Sequence, residues 1–287
     1  MIIDLMSAVT TDHPDIDFLW PGGPMVGTVG ALVAPGGSGK SMWALQAAIA
    51  VAGGPDTLGL CPRYHGQVLY LSAEDPALII MRRLRAIAKS VPADPAIAFG
   101  DAVERLFIQV VVGERINLLD DRHVISIAEQ CEGVRLVILD TLTRLHQGDE
   151  NSNADMSKVI GALEHVAAKS GAAVIYLHHT NKLAALNGMG DLQQAARGAS
   201  ALIDNARWCG YVSRMSKDEA GRYTESINLS DDPIDGDSVR MYVRQGVSKH
   251  NYDAIPAERW YKWINGSLAP ITLYENKSKK EKNRGNL

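Results

Sequence analysis

Short apolar runs rich in β-branched residues recur along the chain, at 26–34, 67–72, 106–112, 134–140 and 172–178. Runs that are apolar at successive positions, rather than alternately, predict strands buried on both faces, as in a parallel sheet. Between them lie segments with helical spacing, at 41–52, 76–90, 120–131 and 153–170. The last places Met156, Ile160, Leu163 and Val166/Ala167 on one stripe, with Asn153 as the expected cap and Gly171 as the stop. Strands alternating with helices predict right-handed βαβ crossovers. After about residue 205 the pattern changes. Strand-like runs at 206–216, 239–247 and 259–264 are separated by turns such as Asp231-Asp232-Pro233 and Asp235-Gly236-Asp237. The expected fold is therefore α/β: a mostly parallel central sheet flanked by helices, with a C-terminal antiparallel extension on its edge.

Composition narrows the function classes. The 287 residues carry 29 basic and 33 acidic side chains, a net charge of −4, with 46% hydrophobic and 22% charged residues. These values exclude disordered, collagen-like and coiled-coil chains, and the length allows one large domain or two small ones. A slightly acidic chain does not bind nucleic acid through bulk charge, so any anion site must be local. Cys61, Cys131 and Cys209 are odd in number and lack metal-ligand spacing, so they read as reduced core thiols. No apolar run reaches the ~18 residues of a membrane span. Asp4 stands where an export signal carries basic residues, so the expected location is the cytoplasm, away from membranes. Trp20, Trp43, Trp208, Trp260 and Trp263 fall within helices and strands, where packing in the core or between subunits is the expected role. There is no internal repeat, and the basic run 277–284 is expected to be disordered.

The strongest chemical signal is Ala34-Pro35-Gly36-Gly37-Ser38-Gly39-Lys40-Ser41, a P-loop with alanine where the strict pattern begins with glycine. Its glycines let successive backbone N–H groups turn toward phosphate oxygens, and the following helix adds its positive end. Lys40 is placed for the β- and γ-phosphates and Ser41 for Mg²⁺. An apolar strand ending in Asp140 supplies a second magnesium group, expected to act through water; alone, it reads equally as a loop cap. Glu74 lies just past the strand that follows the P-loop helix, placed to orient a water for attack on the γ-phosphate. Asp75 is the alternative there, although it better suits a cap for the next helix.

Together with Ala73-Glu74-Asp75-Pro76, Leu139-Asp140-Thr141-Leu142, Leu177-His178-His179, Arg197-Gly198-Ala199-Ser200, Asp204-Asn205-Ala206-Arg207-Trp208 and Gly246-Val247-Ser248-Lys249, the P-loop resembles the RecA-like core of hexameric helicases in the DnaB superfamily. Within it, the chain looks most like the small RepA-type replicative helicases of plasmids. The resemblance implies an ATP- and Mg-dependent homo-oligomer, a hexameric ring, that translocates on single-stranded DNA and unwinds duplex. It implies a γ-phosphate sensor at His179 and an arginine finger acting on a neighbour's nucleotide at Arg207, with Lys249 as the alternative cation in trans. It places residues 146–155 and 182–196 along the ring's channel, with Lys182 and Arg197 as DNA contacts. It also implies an N-terminal arm at 1–14 suited to subunit packing, an ATPase core at 15–275 and a basic tail at 276–287, with primase and initiator supplied by other proteins. Adjacent histidines on a strand face opposite ways, so His178 and His179 are not expected to share a metal. Three rival readings stay open: a RecA-fold ATPase acting on DNA or in regulation without unwinding, a small-molecule P-loop kinase, and a nucleotide-gated binding module.

Overall fold

Each of the five apolar runs becomes a strand, and each helical segment between them a helix. The computed structural model describes residues 2–179, 200–226 and 234–276. Its strands are β1 (Val29–Ala34), β2 (Gln67–Ser72), β3 (Leu106–Val110), β4 (Val134–Asp140), β5 (Ala173–His179), β6 (Trp208–Arg214), β7 (Tyr223–Thr224), β8 (Tyr242–His250), β9 (Arg259–Ile264), β10 (Ser267–Ile271) and β11 (Tyr274–Glu275). Nine of them form one sheet in the order β10-β9-β8-β6-β1-β5-β4-β2-β3, while β7 and β11 pair separately. From β6 to β3 all neighbours are parallel; β8, β9 and β10 are antiparallel to their neighbours.

The helices are α1 (Leu5–Thr10), α2 (Lys40–Val51), α3 (Ala77–Ser90), α4 (Pro95–Ala98), α5 (Gly100–Arg105), α6 (Asp121–Gln130), α7 (Asn153–Ser170), α8 (Ser200–Asn205) and α9 (Lys217–Ala220). Strand alternation divides the core in two. Leu32, Val68, Leu136, Ile138, Ile175 and Leu177 pack with α2 on one face. Val33, Leu69, Val137, Leu139, Val174 and Tyr176 pack with α6, α7 and α8 on the other. Helix α2 is apolar around its circumference and buried along its length except at Ser41, because the sheet and the C-terminal strands enclose it.

That enclosure includes one polar clamp. Gln46 of α2 is fully buried; its side-chain amide donates to Thr57 Oγ1 at 2.7 Å and Leu268 O at 2.8 Å, and accepts from Leu268 N at 3.1 Å. Its loss strands the Leu268 peptide without water or partner, a cost of about 1–3 kcal/mol for each unsatisfied group. Gln46→Leu is therefore expected to lower unfolding stability by about 2–4 kcal/mol. Urea denaturation checks this, and a loss under about 1 kcal/mol would mean the clamp is replaceable.

The tryptophan expectation of packing holds: Trp260 and Trp263 are partly buried against the core, and the other three lie inside it. Trp20, Trp43 and Trp208 are buried and meet edge-on at centroid distances of 5.9 and 6.3 Å. The Trp208 indole donates to Gly22 O at 3.0 Å. Near the amino ends of the strands Arg135 grips Asp17 with two hydrogen bonds of 2.6 and 2.7 Å, fixing the segment before β1.

Several expectations need correction. Ser152 caps α7, not Asn153, because its Oγ accepts from Asp155 N at 3.2 Å; Gly171 ends the helix at φ +73°, as expected. Asp75 does not cap α3 but pairs with Arg83 at 2.6 Å, and Pro76 occupies the cap position without a side-chain bond. Strand β6 is not part of the antiparallel extension: it pairs parallel with β1, and the extension begins at β8. Residues Gly236–Met241 wind into a 3₁₀ turn, so the strand expected at 239 starts at Tyr242. Cys131 and Cys209 are buried thiols, whereas Cys61 is exposed at φ +57°.

Candidate nucleotide site at the carboxyl ends of the strands

Strand β1 leads into the P-loop between β5 and β6, the point where the chain path departs to both sides of the sheet. In open α/β sheets this crevice beyond the strand ends is where ligands bind. The loop closes on itself: Ser38 donates to Pro35 O through both its backbone N–H at 3.2 Å and its hydroxyl at 2.8 Å. Gly37 at φ +73° and Gly39 at φ +98° take the left-handed turns that aim N–H groups inward. Gly39 is also the residue from which α2 starts.

Lys40 is buried, 3.6 Å from Asp140 Oδ1, and among the described residues its ammonium has no hydrogen-bond partner. Burial lowers its pKa, and the Asp140 charge works against that fall. A buried cation with unused donors is suited to an incoming anion. Asp140, at the tip of β4, is wholly buried; Oδ1 accepts from the Ser41 hydroxyl at 3.0 Å and Oδ2 from the Tyr70 hydroxyl at 2.6 Å. Burial, then the Asp140 charge, holds the Tyr70 phenol pKa well above its ordinary value, so it remains a donor. The Ser41 hydroxyl beside the Asp140 carboxylate is an oxygen donor set that fits a magnesium ion retaining part of its water shell.

Glu74 leaves the end of β2 through a pinned turn: Ala73 N donates to Asp140 O at 2.7 Å, and Ser72 Oγ to Asp75 O at 2.9 Å. Its carboxylate is exposed and lies 3.4 Å from His179 Nε2 at the tip of β5. Asp75 is engaged by Arg83, so Glu74 is the freer carboxylate at this strand end. His179 is exposed while His178 is buried. Strand alternation turns His178 to the other face, and burial pushes its pKa down to about 4, so the ring is neutral near pH 7.

Arg207 is exposed at the start of β6, where its backbone N–H donates to Val29 O at 2.8 Å. Its own P-loop begins at the far end of β1, five strand positions away, roughly 16 Å. Lys249 is the register partner of Cys209, two residues further along β6, and its ammonium donates to Asp204 O at 2.6 Å and Ile203 O at 3.4 Å, holding the end of α8. In the 146–155 segment the acids serve their own turn. Asp149 Oδ1 accepts from Asn151 N at 2.9 Å, and Asp155 accepts from Asp149 N at 3.3 Å and pairs with Lys158 at 3.4 Å. Lys182, Arg197 and the segment 182–196 lie outside the described residues, as does the run 277–284.

Three contacts at the site escaped sequence reasoning. One is Tyr70, whose place in an apolar strand was the available signal, since a buried phenol requires a partner. The other two come from the C-terminal strands. Arg214 donates to Gly37 O from Nε at 3.1 Å and Nη2 at 2.5 Å. The Trp263 ring lies so close to Gly39 that a Cβ there would stand 2.8 Å from it.

Among the described residues no helix is long and apolar enough to cross a membrane. Among solved structures, the chain is similar to the RadB recombinase at 14% identity and TM-score 0.55, covering 87% of this chain and 93% of that one. It is similar to a solved ATPase domain at 15% identity and TM-score 0.56, covering 85% of each chain. It is also similar to a DnaB-like replicative helicase at 16% identity and TM-score 0.64, covering 92% of this chain and 66% of that one. At such identities the likeness carries the fold alone, a RecA-like α/β sheet. A family model described as an AAA domain matches residues 4–185, from the N-terminal arm past the tip of β5, and so takes in the P-loop, Glu74, Asp140 and His179; by that match the chain belongs to the AAA domain family, as a P-loop NTPase of RecA-like fold.

Proposed function

We propose that this protein is an ATP-hydrolysing ring helicase, which translocates on single-stranded DNA and unwinds duplex in replication of the plasmid or phage type. The observation that carries the reading is the division of parts between the two ends of the sheet. Lys40, Ser41, Asp140, Glu74 and His179 gather at the carboxyl ends, while exposed Arg207 stands at the opposite end, out of reach of its own P-loop. A finger so placed serves a neighbouring copy, and copies arranged head to tail form a ring where the rotation between them closes.

In this mechanism the P-loop amides and Lys40 hold the phosphates of ATP, and Glu74 orients the attacking water and receives its proton. Magnesium, held by Ser41 and by Asp140 through water, would neutralise phosphate charge as it develops. His179, 3.4 Å from Glu74, is placed to respond to loss of the γ-phosphate and to move the chain after β5. Arg207 from the neighbour stabilises the transition-state charge, with Lys249 the second candidate. Residues 15–275 act as one ATPase core, 1–14 as a subunit-packing arm and 276–287 as a basic tail. The chain's likeness to a DnaB-like replicative helicase, whose structure is described with its interactions with primase, supports the reading and a separate supply of primase.

The likeness to a recombinase over 93% of that chain favours one second reading, a RecA-fold ATPase that acts on DNA without unwinding it. The full chain is expected to release phosphate from ATP without any acceptor, faster with single-stranded DNA, and to displace the strand of a forked duplex only when ATP is present. Hydrolysis without displacement, with or without other replication proteins, would select the second reading. Turnover that depends on a small-molecule acceptor would make the protein a kinase.

A further inference from the structure

We propose that Tyr70 is a positioning residue for the magnesium end of the nucleotide site, holding the Asp140 carboxylate in the orientation that serves Ser41 and the metal's water shell. The proposal rests on the ATPase reading above and adds a residue that neither the P-loop nor the strand-end acids contain.

The two oxygens of Asp140 face different partners. Oδ1 accepts from Ser41 at 3.0 Å and lies 3.6 Å from the Lys40 ammonium, while Oδ2 accepts from the Tyr70 hydroxyl at 2.6 Å. Neither Tyr70 nor Asp140 exposes any surface, so water does not take over that bond. Register explains how the two meet. Tyr70 lies opposite Ile138 in the β2–β4 pair, and Asp140, two positions on, points from the same face. Packing in this apolar strand asks only for a ring, and phenylalanine supplies one. The hydroxyl is the part that packing does not require, and its bond is to the carboxylate.

The rotation of an aspartate about its terminal torsion is soft, so the carboxylate plane is set by its hydrogen bonds. With Oδ2 held by Tyr70, Oδ1 stays on Ser41, and its distance from Lys40 exceeds a direct hydrogen bond. With Oδ2 released, the bond from Ser41 is the remaining hydrogen bond on the carboxylate among the described residues, and the plane is far less constrained. Rotation of that plane would turn Oδ1 away from Ser41 and from the metal's water shell, weakening the metal while the phosphates keep the P-loop amides and Lys40. Tyr70 thus keeps Oδ1 on the Ser41 side of the site, where the metal's water shell would meet it.

The test compares wild type with Tyr70→Phe for binding of a fluorescent ADP, in excess magnesium and in EDTA. Nucleotide-free thermal unfolding is run alongside, and all binding is measured below the transition of the less stable variant. Tyr70→Phe is expected to lose about ten-fold in affinity with magnesium, with the magnesium midpoint raised by a similar factor, and to stay within about two-fold in EDTA. In an Asp140→Asn background the same substitution is expected to cost less than about two-fold, because the partner it orients is gone. Equal losses with and without magnesium would overturn the proposal in favour of a structural role, as would an unchanged magnesium midpoint. A ten-fold loss that persists in the Asp140→Asn background would overturn it too. If wild type itself gains no affinity from magnesium, the magnesium-dependent ATPase reading falls together with this proposal.

Discussion

Glu74→Gln is expected to bind nucleotide as tightly as wild type and to hydrolyse it at least ~100-fold more slowly, the range that loss of a positioned general base produces. Glutamine keeps the shape of the side chain and removes its capacity to take a proton from water. The fold has little at stake, because Glu74 is exposed and its carboxylate has one described polar neighbour, His179 at 3.4 Å. Single-turnover hydrolysis beside ADP binding makes the measurement. Asp75→Asn is the control: Asp75 is tied to Arg83 at 2.6 Å, so its loss should affect the anchoring of α3 more than the chemical step. If turnover survives in Glu74→Gln and fails in Asp75→Asn, the base has been assigned to the wrong carboxylate.

Where the sequence was legible, local rules were enough. Four of the five strands were readable because they are buried on both faces and have no polar alternation to disguise them, as in Val134–Asp140; β3 was expected to be buried likewise, but it lies at the sheet edge with Phe107 and Gln109 exposed. The P-loop was readable because phosphate binding demands glycines at fixed positions between a strand and a helix. The losses came where a segment's structure depends on distant partners. Strand β10 contains Pro270 and has an edge position, and it is held by Gln46 from more than two hundred residues away. Strand β6 was expected in the antiparallel extension, but its place beside β1 is decided by which element fills the far side of the switch point. The same limit hid the lining of the site. Nothing near Arg214 or Trp263 in the chain marks them as neighbours of the P-loop; the register of β6 and β9 puts them there. The closeness of Glu74 and His179 follows from register: Ser72 pairs with Asp140 and Leu139 with Tyr176, so Glu74, two residues past β2, comes level with His179, which spacing alone does not give.

Mixing two inactive variants tests the most consequential assignment, that Arg207 acts on a neighbour. Arg207→Ala alone is expected to slow hydrolysis by ~10³-fold or more, as removal of an arginine finger does, while leaving nucleotide affinity near that of wild type. Slow hydrolysis alone would not reveal whose nucleotide the guanidinium touches. Geometry within one copy argues against its own, since Arg207 starts β6 beside Val29, at the far end of β1 from Ala34 and the P-loop. Co-assembly with Glu74→Gln subunits separates the cases. In a mixed ring a site regains both groups when an Arg207→Ala subunit supplies Glu74 and its Glu74→Gln neighbour supplies Arg207. Random equal mixing produces that pairing at roughly a quarter of the interfaces. Hydrolysis well above either parent, rising and then falling as the ratio passes through equality, is the expected result. Mixtures that stay at the sum of the two parents, although mass measurement shows mixed assemblies, would mean that Arg207 does not complete a neighbour's site. Repeating the mixture with Lys249→Ala in place of Arg207→Ala extends the test to the second cation. Lys249 already donates to Asp204 O and Ile203 O, so its loss is expected to disturb the end of α8 within its own subunit, and mixing should not restore activity.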